Sequence, residues 1–262
     1  MIGIEWAPLA GALVGLVVGL TGVGGGALMA PILLFGFGFD LPTVVATDLL
    51  FASITKLLAT SFHSKNNYVD WQVTKYLWLG SIPATIIVMV LGYLGLIFSN
   101  PNWVTKILGI LILISGTSIL IEQQIQFFQR TKRIQKTEYI EQNQQKATVI
   151  SGFILGGLVS ATSIGAGALG IMFIKMVYPA QMDPKKLVAT DTVHAVPVSL
   201  LAGIGYLIMG NTNLQLLSLL LTGAIPVVII GTKLLSKLPS QLIKQIVGLT
   251  LIITASKLLA SP

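Results

Sequence analysis

Apolar runs long enough to cross a bilayer follow one another along nearly the whole chain, and only "QRTKRIQKTEYIEQNQQK" (129–146) interrupts them with a sustained polar stretch. A hydrocarbon core about 30 Å thick takes roughly 20 helical residues, because backbone inside it must satisfy its own hydrogen bonds. Charged residues make up 10% of the 262 residues, where a soluble domain carries about 25%. An all-α polytopic membrane protein is therefore expected, lying in the lipid bilayer with no soluble domain to cut out.

The formal charge of +7 does not point to nucleic acid, since the basic residues sit in short connections and not on a continuous face. In a membrane chain they report orientation first. No cysteine is present, which removes disulfides, thiolate metal sites and thiol catalysis. No charged leader with a small-residue cleavage site precedes the first apolar run, so that run is read as part of the mature chain.

Internal similarity divides the chain. "VVATDLLFASITKLLAT" (44–60) matches "LVATDTVHAVPVSLLAG" (187–203), carrying Asp48 onto Asp191 at an offset of 143, and the same offset carries "GSIP" (80–83) onto "GAIP" (223–226). "LTGVGGGALM" (20–29) aligns with "ATSIGAGALG" (161–170) at an offset of 141. Three matches in one order at nearly one offset point to duplication, with a first transmembrane repeat at 1–128, a basic cytoplasmic linker at 129–146 and a second repeat at 147–262. Each copy opens with a glycine-interrupted segment (7–37; 148–178), followed by apolar helices at about 43–63, 73–97 and 103–127, then 187–208, 213–232 and 240–259.

Basic residues choose between two topologies. If each glycine segment is a single span, the copies face the same way; if it is a hairpin of two short helices, each unit has five segments and the copies are inverted. With the linker inside, the hairpin places Lys175, Lys185, Lys186, Lys233, Lys237 and Lys244 inside with the linker residues, Lys65 and Lys75, leaving Lys106 and Lys257 outside. The expectation is two inverted-topology repeats of about five membrane segments each, opened by glycine-broken short helical hairpins, with both termini outside.

Breaking a helix in lipid exposes backbone groups at a cost of several kcal/mol each, so the break should line a polar cavity or be buried in protein. Gly22, Gly24, Gly25 and Gly26 after Thr21, and Ser163, Gly165 and Gly167 after Thr162, are read as two turns meeting across a pseudo-two-fold axis. Each ends at the N-terminus of a short helix, which favours an anion. Close helix packing by small residues is the bland alternative, though such motifs space them by four.

Few ionisable groups fall inside the apolar runs. Asp48 and Asp191 either stabilise helix N-termini or face the cavity as coupling carboxylates, with Thr47 and Thr190 as hydroxyl ligands. A carboxylate beside an anion repels it unless protonated or paired, which makes proton linkage sensible. Lys56, whose counterpart is Ser199, either touches substrate or snorkels toward the interface. His194, one helical turn after Asp191 and matched by Phe51, is suited to anion binding, to proton transfer or to a structural bond. Trp71, Tyr76, Trp78 and Trp103 fit an interfacial belt. No triad, metal-ligand cluster or Walker motif is present, so no enzyme activity, metal or cofactor is expected.

Together "GLTGVGGGALMAP", the repeated "VATD" and the echo "SATSIGAGALG" resemble the TauE/SafE family of sulfite exporters and organosulfur-anion permeases, over essentially the whole chain. The resemblance implies secondary transport, as export or permeation, of a small anion such as sulfite or a short sulfonate across a bacterial inner membrane. The anion would be held by the two glycine turns and the starts of the helices bearing Thr47 and Thr190. The second turn reads "SIGAG" and not "GVGGG", so the two halves of the site are not equivalent. A passive anion channel and a non-transporting partner-binding subunit are the alternatives, and abundant small-residue helix faces leave room for a homodimer.

Overall fold

A computed structural model describes residues 3–21, 26–65, 67–96, 106, 109–110, 112–117, 120, 143–165, 167–178, 182–234 and 240–260. All regular structure among them is helical. A single 3-10 turn (Ile4–Trp6) leads into α1 (Ala7–Thr21). α2 (Gly26–Pro31) continues as a π-helix (Ile32–Phe37), then come α3 (Leu41–Lys65), α4 (Trp71–Tyr93), α5 (Gln144–Thr162), α6 (Ala168–Val177), α7 (Pro184–Ile208), α8 (Leu214–Leu234) and α9 (Ser240–Ala260). α5 starts inside the stretch expected as linker, so residues 144–146 are helical.

Among the described residues, four segments are long and apolar enough to cross a membrane: Leu41–Ser61, Trp71–Tyr93, Lys185–Ile208 and Leu214–Gly231. Polar residues mark where they begin. Asp70 accepts the Val73 N–H, Asp183 accepts the Lys186 N–H with Pro184 next to it, and Asn213 accepts the Leu216 N–H. Each satisfies a donor that the first helical turn leaves open.

The second glycine segment is a hairpin. α5 stops at Ser163 in the left-handed conformation (φ 61°), Gly165 and Gly167 take φ values of 129° and 122° that only glycine adopts easily, and α6 then runs back. Its end returns to the start of α5, where the Tyr178 hydroxyl lies 2.9 Å from that of Thr148 and Gln144 donates to the Val177 carbonyl. Of the first turn, Gly22, Gly24 and Gly25 lie outside the described residues.

The helices pair in an exchanged pattern. α1 packs on α8 and α4 on α5; α3 touches α8 and α4 touches α7; α3 and α7 pack on each other. Exchanging positions by the sequence offset turns each pairing into the other, or into itself. α3 and α7 run antiparallel, with Leu50 early in one against Gly203 late in the other. The two parallel pairs are glycine contacts: a Cβ on Gly11 would fall on the Leu220 carbonyl and one on Gly152 on that of Leu77, while Gly80 abuts Val149 and Gly223 abuts Pro8. Gly11 and Gly152, like Gly80 and Gly223, are offset-related.

Polarity is arranged inside out. Leu13, Leu79, Ile86, Ile150 and Ile253 are exposed, whereas Thr47, Asp48, Lys56, Ser81, Thr190, Asp191 and His194 are buried. Water would dissolve the second set and lipid the first, so this distribution suits a bilayer.

Candidate functional site

The buried polar residues converge where α3 and α7 cross, beside the second glycine turn and α4. Asp48 and Asp191 are fully buried, as are Thr47 and Thr190. The Ser163 hydroxyl donates to Asp48 Oδ2 at 2.5 Å, so the turn that follows α5 is tied to the aspartate of α3. α5 ends at Ser163 with its backbone in the left-handed region, and the Thr162 hydroxyl holds the bend by accepting the Ile164 N–H.

Asp191 meets the other end of that turn. Its carboxylate lies against Gly170 in the first turn of α6, in the space a Cβ would fill. The Gly167 N–H acts on it as a dipole without the geometry of a formed hydrogen bond. Lys56 is 2% exposed, and Asp191 and Asp48 both lie within its electrostatic reach. The Lys56 side chain is thus enclosed by protein in the neighbourhood of both carboxylates.

His194 Nε2 lies 3.0 Å from the Ser81 hydroxyl, and the Trp78 indole N–H donates to the His194 carbonyl at 3.1 Å. The histidine is thus held by α4 and not paired with Asp191, although a helical turn separates the two. Thr190 accepts the Asp70 N–H at 3.0 Å, which ties it to the start of α4.

Five buried polar atoms in this cluster have no hydrogen bond among the described residues: Thr47 Oγ1, Asp48 Oδ1, both Asp191 oxygens and His194 Nδ1. An unpaired buried polar group costs about 1–3 kcal/mol, more when charged. Such a concentration makes the α3–α7 crossing the candidate site. Among the described residues no group of three or more His, Cys, Asp and Glu could hold a metal ion.

The two ends of the α3–α7 pair differ. At one, a cavity of about 430 Å³ opens among Leu41, Pro42, Val45, Tyr93, Ala161 and Tyr206, reaching within a turn of Asp48 and two residues of Ser163. At the other, Lys186 Nζ and Asp70 Oδ2 pair at 2.9 Å above buried Val69, Ala189 and Val193. Partial burial acts to raise Asp70, but the Lys186 ammonium and the Val73 N–H outweigh it and hold the carboxyl below its ordinary value. Such a pair exists above the ordinary carboxylate value and is lost only as pH falls through the depressed one. A Val193→Cys thiol, unique in this chain, should therefore stay unreactive in detergent toward an acid-tolerant disulfide reagent down to about pH 4. Asp70→Asn should raise its labelling several-fold at any pH; equal labelling would show that the ion pair closes nothing.

Of the residues singled out in the sequence, Thr47, Asp48, Lys56, Ser163, Asp191 and His194 come together. Gly165 and Gly167 shape the turn, Gly26 begins α2, and the Thr21 side chain lies outside the described residues. Ser81, Asp70, Lys186 and Gly170 had not been marked as functional; Ser81 stood in the duplicated "GSIP", the one available signal.

Comparison with known proteins agrees. The family model described as sulfite exporter TauE/SafE matches residues 7–258. The probable membrane transporter protein YjnA of Bacillus subtilis is 32% identical over 96% of this chain and 98% of its own length. YunE of the same organism, also a probable membrane transporter protein, is 25% identical over 95% and 94%. No solved structure matches the chain. A match running from α1 to the end of α9, over helices that turn apolar side chains outward and close on buried charge, makes this multi-pass membrane protein a transporter and not an enzyme, and the chain belongs to the TauE/SafE sulfite exporter family.

Proposed function

We propose that the protein is a proton-coupled secondary transporter that exports a small sulfur-containing oxoanion, such as sulfite or a short sulfonate, across the inner membrane. The observation that carries this reading is the set of unpartnered buried polar atoms at the α3–α7 crossing, next to the glycine-broken hairpin. Two carboxylates there share one ammonium, so a guest anion requires a proton to keep the low-dielectric interior near neutrality.

Repeats at 1–128 and 147–262, inverted about the cytoplasmic linker 129–146, supply the moving parts. The antiparallel α3 and α7, the exchanged helix pairings and the α5–α6 hairpin support that division. Alternating access would close the cavity face while the Asp70–Lys186 face opens.

Thermal stabilisation of the purified protein tests the chemistry, with sulfite, sulfate, thiosulfate, sulfoacetate, acetate and chloride at pH 5 and pH 8. An anion at 100 times its Kd stabilises by about 2.7 kcal/mol. A shift selective for a sulfur oxoanion is expected; equal shifts for all, or none, would overturn the assignment.

A further inference from the structure

We infer that the N-terminus of α6 is the anion subsite, and that Asp191 fills it as a tethered stand-in which the transported anion must displace. The inference rests on the transporter reading above and adds which carboxylate carries the coupling proton.

α6 has ten residues and starts in the protein interior. The Gly170 and Ile171 N–H groups close onto the Gly165 and Gly167 carbonyls, so the donors ahead of them form the tip. A helix tip with open N–H groups carries roughly half a positive charge and attracts an anion. A fully buried carboxylate lies over it with neither oxygen in a formed hydrogen bond. Asp191 therefore sits in the field of the tip without being locked to it. A residue serving only as a cap would hold the N–H groups in hydrogen-bond geometry.

The offset-related positions show that this arrangement belongs to one half alone. Gly170 corresponds to Met29, so the position that glycine leaves open to the Asp191 carboxylate carries a buried apolar side chain in the other half. Ser163, whose hydroxyl ties down Asp48, corresponds to Gly22, which has no hydroxyl to offer. Asp48 is thus fixed by a side chain, and Asp191 is the carboxylate free to leave.

Of the charged and titratable groups around the site, Lys56 from α3 acts on Asp191; Asp48 is tied to Ser163 and His194, one turn along α7, to Ser81, and the first turn of α6 carries no ionisable side chain. A proton on Asp191 cancels its charge at the tip. The incoming anion then takes the N–H groups, with Lys56 as counter-ion, and one proton enters with each monoanion. Departure of the anion lets Asp191 ionise and return.

The test is binding of methanesulfonate, a monoanion of constant charge from pH 5 to pH 8, and of sulfite, by calorimetry on the purified full chain. Wild type should bind at least tenfold tighter at pH 5 than at pH 8. Asp191→Asn should bind at pH 8 as tightly as wild type at pH 5, with the pH dependence gone. Should that variant fail to fold, Gly170→Ala places a methyl where the carboxylate rests and should likewise tighten binding at pH 8. PH dependence retained in Asp191→Asn, or unchanged affinity in Gly170→Ala, overturns the inference and leaves the transporter reading standing. Absence of binding by wild type at both pH values overturns the two together.

Discussion

Gly152→Ala should destabilise the protein by about 1–3 kcal/mol, visible as a large loss of monodisperse protein and a fall in Tm in detergent. The added methyl would meet the Leu77 carbonyl, which belongs to helical backbone and cannot turn away as a flexible side chain could. Between membrane helices, association depends on such close backbone approach, because lipid tails offer side chains as apolar an environment as the protein does. Gly11→Ala, which meets the Leu220 carbonyl, should cost a similar amount, since it performs the same task in the offset-related pair. Gly157→Ala is the control: a Cβ there meets nothing within 4 Å, and alanine favours the helix. A Tm for Gly152→Ala within a degree of Gly157→Ala would show that the α4–α5 contact is looser than described.

That result would also separate two uses of glycine that the sequence left mixed. The consecutive glycines after Thr21 drew attention as a break, and in the second copy Gly165 and Gly167 do take backbone angles a side chain resists. Gly11, Gly15 and Gly19, spaced by four in the same segment, carry the packing use: they face Leu220, Ala224, Val228 and Gly231. Apolar run length was enough for the helices among the described residues, because a bilayer leaves few choices for an apolar run of that length; most of the expected 103–127 helix lies outside those residues. The site was legible only in part. Asp48, Lys56 and Asp191 stood out because ionisable groups are costly in lipid. Ser81 and Gly170 did not, since a serine or a glycine in an apolar helix is common and only the fold reveals that one touches His194 and the other Asp191.

Lys56→Met should be the most damaging single change at the centre of the protein. Methionine keeps the length and apolar stem of the side chain, so what disappears is the charge. Two fully buried carboxylates would then remain without the ammonium that faces both. Breaking a buried ion pair by removing one partner costs about 3–5 kcal/mol, most of it the stranded charge. The loss should be larger at pH 8 than at pH 5, because protons can take over the neutralising role of the ammonium where they are abundant. Combining Lys56→Met with Asp191→Asn should recover much of the lost Tm, the coupling between the two changes exceeding about 0.5 kcal/mol. Sulfite binding should not recover with it: the double variant regains the net charge of the wild-type cluster but offers an incoming anion no counter-ion. Stability and binding would then part company in one protein, as they must if Lys56 balances the resident carboxylates at rest and the transported anion when it is bound. A Lys56→Met protein that melts like wild type at both pH values would remove the ammonium from both roles.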